Sequence, residues 1–226
     1  MSVRRRLTLA EQAYEELQQQ IVTGRLPAGQ RLLPDELAGA LAVSQTPVKH
    51  ALVRLEQDGL VQGASRRVSV VRRFTPADIT EIYAARTLLE AHAVTEGMAA
   101  GQATDAFTDR LAVLFERNVA LARRQTVHAL GEAIRLDREF HELLVGLAGN
   151  RLMSRWHRMV LWQIQTIRNY SLRHYDPERT EREHGAIVAA VRAGDAAAAT
   201  TALCQHLLAS RDEFLSRAPE ELPMSA

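Results

Sequence analysis

The chain of 226 residues is 46% hydrophobic and 24% charged, an ordinary globular composition with room for two small domains or one large one. No apolar run approaches the roughly 18–20 residues of a membrane span. The basic start "MSVRRRLTLAEQAYEEL" lacks the apolar stretch of a secretory signal, and a single cysteine, Cys204, excludes an internal disulfide and suits a reducing cytoplasm. The net charge of +1 conceals an asymmetry: residues 1–74 hold 11 Lys+Arg against 7 Asp+Glu, while residues 75–226 hold 17 against 20. A domain of charge +4 joined to one of −3 points to a polyanion met by the first part alone.

Thr8 and Glu11 fit a capping box that opens a helix with the apolar stripe Leu9, Ala13, Leu17 and Ile21. The helix stops near Gly24, where "GRLPAGQ" has turn chemistry. A second short helix follows Pro34 through Leu37 and Leu41. A third, capped by Ser44 or Thr46, sets Val48, Leu52 and Leu55 on a core face and ends with Gly59 at its C′ position. The β-prone "LVQ" and "RVSVV" then bracket "GASR" as a short hairpin. Three helices and a hairpin make a winged helix-turn-helix. Its third helix turns Gln45, Lys49 and Val53 away from the core, with Thr46 and His50 alongside, where polar side chains reach base edges in a major groove. The wing carries Arg66 and Arg67 towards phosphates or the minor groove.

This domain resembles the N-terminal domain of the GntR family of transcription regulators. Residues 16–61 carry an I-x-x-G-x-L-x-x-G opening, then L-A-x-x-L-x-V-S, T-P-V and A-L-x-x-L-x-x-x-G-L. Where the family has Arg after the serine and Arg-Glu after T-P-V, this chain has Gln45, Lys49 and His50; where the wing tip has glycine, it has Ser65 and Arg66. Arginine reads guanine bidentately and glutamine suits adenine, and Lys49 keeps the charge without the fork. The resemblance therefore implies a DNA-binding regulator with an altered operator.

Beyond Thr75 the pattern is helical throughout. A Thr75 cap with Pro76 at N1 opens a helix that runs to Gly97–Gly101. Further segments span about 104–124, 127–148, 150–174, 178–193 and 195–216, and the tail "APEELPMSA" reads as disordered. The whole is an all-α dominated fold, a winged helix-turn-helix over residues 1–74 and an antiparallel bundle of six helices over 75–226.

In "IRLDREFHELLVGLAGN", Asp137 and His141 share an apolar face with Ile134, Leu144 and Ala148. A buried carboxylate is costly unless paired. His184 begins the stripe Ile187, Val188, Val191, and His206 lies beside Leu203 and Leu207 on the helix after the Gly194-Asp195 turn. These four side chains are either hydrogen-bonded core residues or, together, the donor set of a first-row transition metal.

"AARTLLE", "DREFHELL", "GNRLM", "REHGAIVAAVRAGDAAAA" and "CQHLLAS" resemble the ligand-binding domain of the FCD (FadR C-terminal domain) branch of GntR regulators. The resemblance implies that Asp137, His141, His184 and His206 coordinate one divalent ion, zinc or nickel. It further implies a small organic acid bound beside the metal with the help of Arg86, which could instead pair with Glu90 one turn on. Asn150 matches a family position but equally caps the next helix, and Tyr83 is a further candidate for the cavity wall. His92, His128, His157 and His174 receive no role.

The expectation is a cytoplasmic homodimer, with no membrane partner, that reads a near-palindromic DNA operator under the control of a carboxylate metabolite. The alternatives are a regulator that senses the metal itself and a metal-dependent hydrolase. A hydrolase needs a base at the metal, yet Glu139 and Glu142 share no face with the ligand pair, and Cys204 has no activating partner.

Overall fold

The structure, a computed structural model, describes residues 7–63, 68–168 and 175–221. The chain divides into two compact units. One comprises the residues up to Phe74 together with the end, from Trp162, of the helix Arg151–Arg168, and the other comprises the rest. The sequence assigned all of that helix to the second unit.

In the first unit α1 spans Leu9–Val22. The Thr8 hydroxyl accepts from the Glu11 amide at 3.2 Å and the Glu11 carboxylate accepts from the Thr8 amide at 2.7 Å, closing the reciprocal cap read from the sequence. Of the expected stripe, Ala13, Leu17 and Ile21 are buried while Leu9 is exposed. Next come β1 (Arg31–Leu32), α2 (Pro34–Ala40), α3 (Gln45–Gln57), β2 (Val61–Gln62) and β3 (Ser69–Val71).

The hairpin is one strand larger than expected. β3 lies between β1 and β2, antiparallel to both, with Arg31 opposite Val70 and Val61 opposite Val71. Leu17, Val48, Leu52, Leu55 and Leu60 form the centre of the core. The Tyr14 hydroxyl donates to Asp58 at 2.5 Å and accepts from Gln18, which ties α1 to the end of α3. Gly59, at φ +73°, takes the left-handed conformation that ends α3.

The second unit holds α4 (Pro76–Ala99), α5 (Asp105–Ala122), α6 (Val127–Gly146), most of α7 (Arg151–Arg168), α8 (Pro177–Arg192) and α9 (Ala196–Glu221). Thr75 and Asp78 form a second capping box at the head of α4. Helices α4 and α9 pack together, as do α5 with α6 and α8 with α9. Gly97 lets α4 approach the end of α6: a Cβ there would stand 2.7 Å from the Leu147 carbonyl.

The α7 segment expected as far as residue 174 is described to Arg168, and 169–174 lie outside the described residues. Helix α9 continues to Glu221, past Pro219. The fixed φ of proline is itself near-helical, and in a last turn it costs one hydrogen bond without reversing the chain. Residues 222–226 lie outside the description.

Candidate metal centre and nucleic-acid interface

In the first unit, Gln45, Thr46, Lys49 and His50 are exposed along the N-terminal half of α3, while Val48, Ala51, Leu52 and Leu55 are buried behind them. Ser44 is the N-cap residue but makes no side-chain cap bond. Arg66 and Arg67, assigned to the wing, lie outside the described residues. Lys49→Ala is expected to weaken operator binding about 5- to 150-fold, the roughly 1–3 kcal/mol of one base or phosphate contact, with an unchanged melting curve. Fluorescence anisotropy on operator DNA checks this, and an unaltered affinity would remove α3 from the reading face.

In the second unit, the four residues singled out on α6, α8 and α9 converge. Asp137 and His206 are 5% exposed, His184 1% and His141 fully buried. Donor atoms of the three histidines all lie within 4.8 Å of one another. His184 Nε2 and His206 Nε2 face each other at 3.3 Å. Asp137 Oδ1 is 3.5 Å from His184 Nε2 and 4.0 Å from His141 Nε2. The Phe140 ring stacks on His184 at 4.6 Å and fixes its plane.

Carboxylates stand behind two of these imidazoles. Glu90 of α4 accepts from His141 Nδ1 at 2.7 Å, and Glu183 accepts from His206 Nδ1 at 2.8 Å. Burial by itself would raise the Glu90 carboxyl. The Arg86 guanidinium, and then His141 and His157, outweigh it and hold the group well below the usual carboxylate range. Burial pushes the His141 imidazole below its ordinary value, against the pull of Glu90.

A neutral His141 facing an ionised Glu90 carries its proton on Nδ1, which leaves the Nε2 lone pair directed at the cluster. That Nε2 is buried without a hydrogen-bond partner. A cation accepting from nitrogen and carboxylate oxygen supplies what such an atom lacks, so the residues fit a metal of the borderline class.

Arg86 lies close by. It is 1% exposed, and its Nε donates to Glu90 Oε1 at 2.6 Å. Its Nη1 and Nη2 are buried without hydrogen-bond partners. Both alternatives for Arg86 are therefore open together: one edge of the guanidinium pairs with Glu90 and the other has donors to offer. Tyr83, 2% exposed, lies under that guanidinium at 5.7 Å and packs against Phe214 of α9.

Asn150 is exposed, and its side-chain oxygen accepts from the amides of Leu152 and Met153 at the head of α7. These are the bonds of the capping alternative.

Three residues of this centre were missed. His157, given no role, is 1% exposed and donates from Nε2 to Glu90 Oε1 at 2.8 Å. It falls on the stripe Met153, His157, Val160, Leu161, Ile164, so the rule that flagged Asp137 and His141 would have found it. Glu90 was seen only as a partner for Arg86. Glu183, next to a flagged histidine but on a neighbouring face, is held by Arg179, which also reaches Ser210 and Glu213 on α9; nothing local marked it.

A winged helix-turn-helix head, followed by a wholly helical unit with a buried histidine–carboxylate cluster, defines a DNA-binding transcription regulator. Comparison with known proteins makes the assignment specific. The "Bacterial regulatory proteins, gntR family" pattern matches residues 9–71 and the FCD domain matches residues 81–209, so the chain belongs to the GntR family and to its FCD branch.

It is 32% identical to the uncharacterized HTH-type transcriptional regulator YdhC of Bacillus subtilis, over 88% of this chain and 85% of that protein. It is 28% identical to the HTH-type transcriptional repressor RspR of Escherichia coli, over 87% and 85%. Its fold superposes on that of E. coli McbR/YncC with a TM-score of 0.79 at 21% identity, covering 94% of this chain and 99% of that one. Family and relatives are regulators of transcription, not enzymes. No helix among the described residues is long and apolar enough to cross a membrane.

Proposed function

We propose that this regulator binds a near-palindromic operator as a homodimer. Its operator affinity is set by a small organic acid at one divalent transition-metal ion, zinc or nickel. Asp137, His141, His184 and His206 would hold the ion, which supplies an electrophilic centre for a carboxylate. Gln45, Thr46, Lys49 and His50 of α3, with Arg66 and Arg67 of the wing, would contact the DNA. The observation that carries the reading is the buried, unpartnered Nε2 of His141 beside two further imidazole nitrogens and a carboxylate oxygen.

Arg86 supports the organic-acid half. Two buried amino groups of one guanidinium form the fork that matches a carboxylate, and Tyr83 forms the neighbouring wall. The acid switches the protein only by binding two arrangements of the bundle with different affinities.

The test is operator binding by metal-loaded and chelator-treated protein across a panel of mono- and dicarboxylic acids. One acid is expected to shift the affinity of the loaded protein by about 5- to 150-fold, the usual range of allosteric coupling, and to leave the chelated protein unaffected. Affinity that follows the metal alone would replace this reading with a metal sensor. Affinity indifferent to both would overturn it.

A further inference from the structure

We infer that the cleft between α5, α6 and α7 is a second ligand site, and that it takes a small zwitterion of the α-amino acid type. The cleft encloses about 500 Å³, within the range of metabolite pockets. Its lining residues all belong to the second unit. None of them is a member of the metal cluster, and neither Arg86 nor Tyr83 is among them. On α6, Glu139 and Glu142 fall on a different face from Asp137 and His141. The site therefore does not depend on the metal.

His157 supplies the observation that points to an occupant. Its ring lines the cleft and is 1% exposed. Nε2 is engaged by Glu90 at 2.8 Å, and Nδ1 is buried with no hydrogen-bond partner. A neutral ring that gives its Nε2 proton to a carboxylate presents a lone pair at Nδ1, and burying that lone pair unused is costly. One turn earlier on α7, the Ser154 hydroxyl lines the cleft and donates to the Asn150 carbonyl at 3.1 Å. Its oxygen therefore has only lone pairs left to offer a ligand.

The charges on the walls decide the class of ligand. Arg110 of α5 and Arg158 of α7 line the cleft and make no ion pair among the described residues. Glu139 and Glu142 of α6 also line it, paired with Arg135 and Arg138 on their own helix. A purely anionic ligand would meet the two glutamates, and a purely cationic one the two arginines. A ligand with both charges avoids either conflict. Its carboxylate matches the guanidinium forks. The three N–H donors of its ammonium match His157 Nδ1, the Ser154 oxygen and one of the glutamates. An occupant on Nδ1 also sits two hydrogen bonds from the cluster, since Glu90 joins His157 to His141.

The test is calorimetric titration of the full chain with the common α-amino acids in turn, then with the deaminated acid and the decarboxylated amine of the tightest binder. One amino acid is expected to saturate at one site per chain. Loss of either of its charges should weaken binding about 10- to 150-fold, the worth of hydrogen bonds to a charged group. Arg110→Gln combined with Arg158→Gln should cause a loss in the same range. Both arginines are exposed, so the fold survives, and far-UV circular dichroism checks it. Ser154→Ala leaves every charge in place and should weaken binding about 2- to 10-fold.

Binding is expected to persist in chelator-treated protein. No binding by any amino acid, or full affinity in the double arginine variant, overturns the site. A deaminated acid that binds as tightly as its amino acid overturns the zwitterion. An amino acid that binds only metal-loaded protein and tolerates the double variant belongs to the metal cluster, which overturns this cleft and leaves the reading of the metal centre in place.

Discussion

Glu90→Ala is expected to cost about 3–5 kcal/mol of folding stability, the loss seen when one member of a buried ion pair is removed. Glu90 is wholly buried and serves three groups: Arg86 Nε at 2.6 Å, His141 Nδ1 at 2.7 Å and His157 Nε2 at 2.8 Å. Without it, a guanidinium that is 1% exposed and already has two unpartnered amino groups keeps no hydrogen bond to a side chain among the described residues. Glu90→Gln preserves the shape and an acceptor, and it should lose roughly half as much because the desolvated charge of Arg86 is still uncompensated.

Urea unfolding followed by far-UV circular dichroism checks both variants. Metal affinity by chelator competition supplies a second readout. An outer-shell carboxylate is worth about 10- to 100-fold in affinity, and Glu90→Gln should show that loss even where its stability is tolerable. A Glu90→Ala protein as stable as the wild type would mean that Arg86 is not held as described.

His184→Ala should remove the metal altogether. Elemental analysis of untagged protein is expected to fall from about one zinc- or nickel-like ion per chain to below about 0.1, because a site with one ligand gone no longer competes with dilution during purification. The variant also removes the ring stacked on Phe140 at 4.6 Å. His184→Phe keeps the stacking and cannot ligate, so it separates packing from coordination. Metal retained at full occupancy in both variants would place the ion on other residues. No metal in the wild type would leave the cluster as a hydrogen-bonded core in which Asp137 faces His184.

The contrast between what was legible in the sequence and what was not follows the range of the interactions. Both capping boxes were readable because Thr8 with Glu11 and Thr75 with Asp78 lie three residues apart and satisfy each other locally. The apolar spacing of α3 and α6 was readable for the same reason. Strand β1 was not: it is two residues long, and its partner Val70 comes 39 positions after Arg31, so nothing near it in the chain distinguishes it from a turn. The four residues of the cluster were named from their places on apolar stripes and from the resemblance to the FCD branch. The carboxylates behind it depend on packing instead. Glu90 meets His141 and His157 only because α4, α6 and α7 come together at one level, and adjacency to His184 says nothing about which way Glu183 points. Asn150 is a local case like the two boxes: its cap bonds to the amides of Leu152 and Met153 were readable from its place before the helix.

The pairing of α4 with α9 joins the first and last helices of the second unit, with Thr95 and Thr200 separated by 105 positions. A ribosome adding about 5–20 residues per second therefore needs roughly 5 to 20 s between finishing α4 and supplying the helix that covers it. For that interval the side of α4 that packs on α9 stands open to solvent and to chaperones. Premature termination anywhere before α9 leaves the DNA-reading helix already made but the bundle unable to close. Such a fragment would be a target for proteolysis, so completion of α9 acts as a quality check on the molecule.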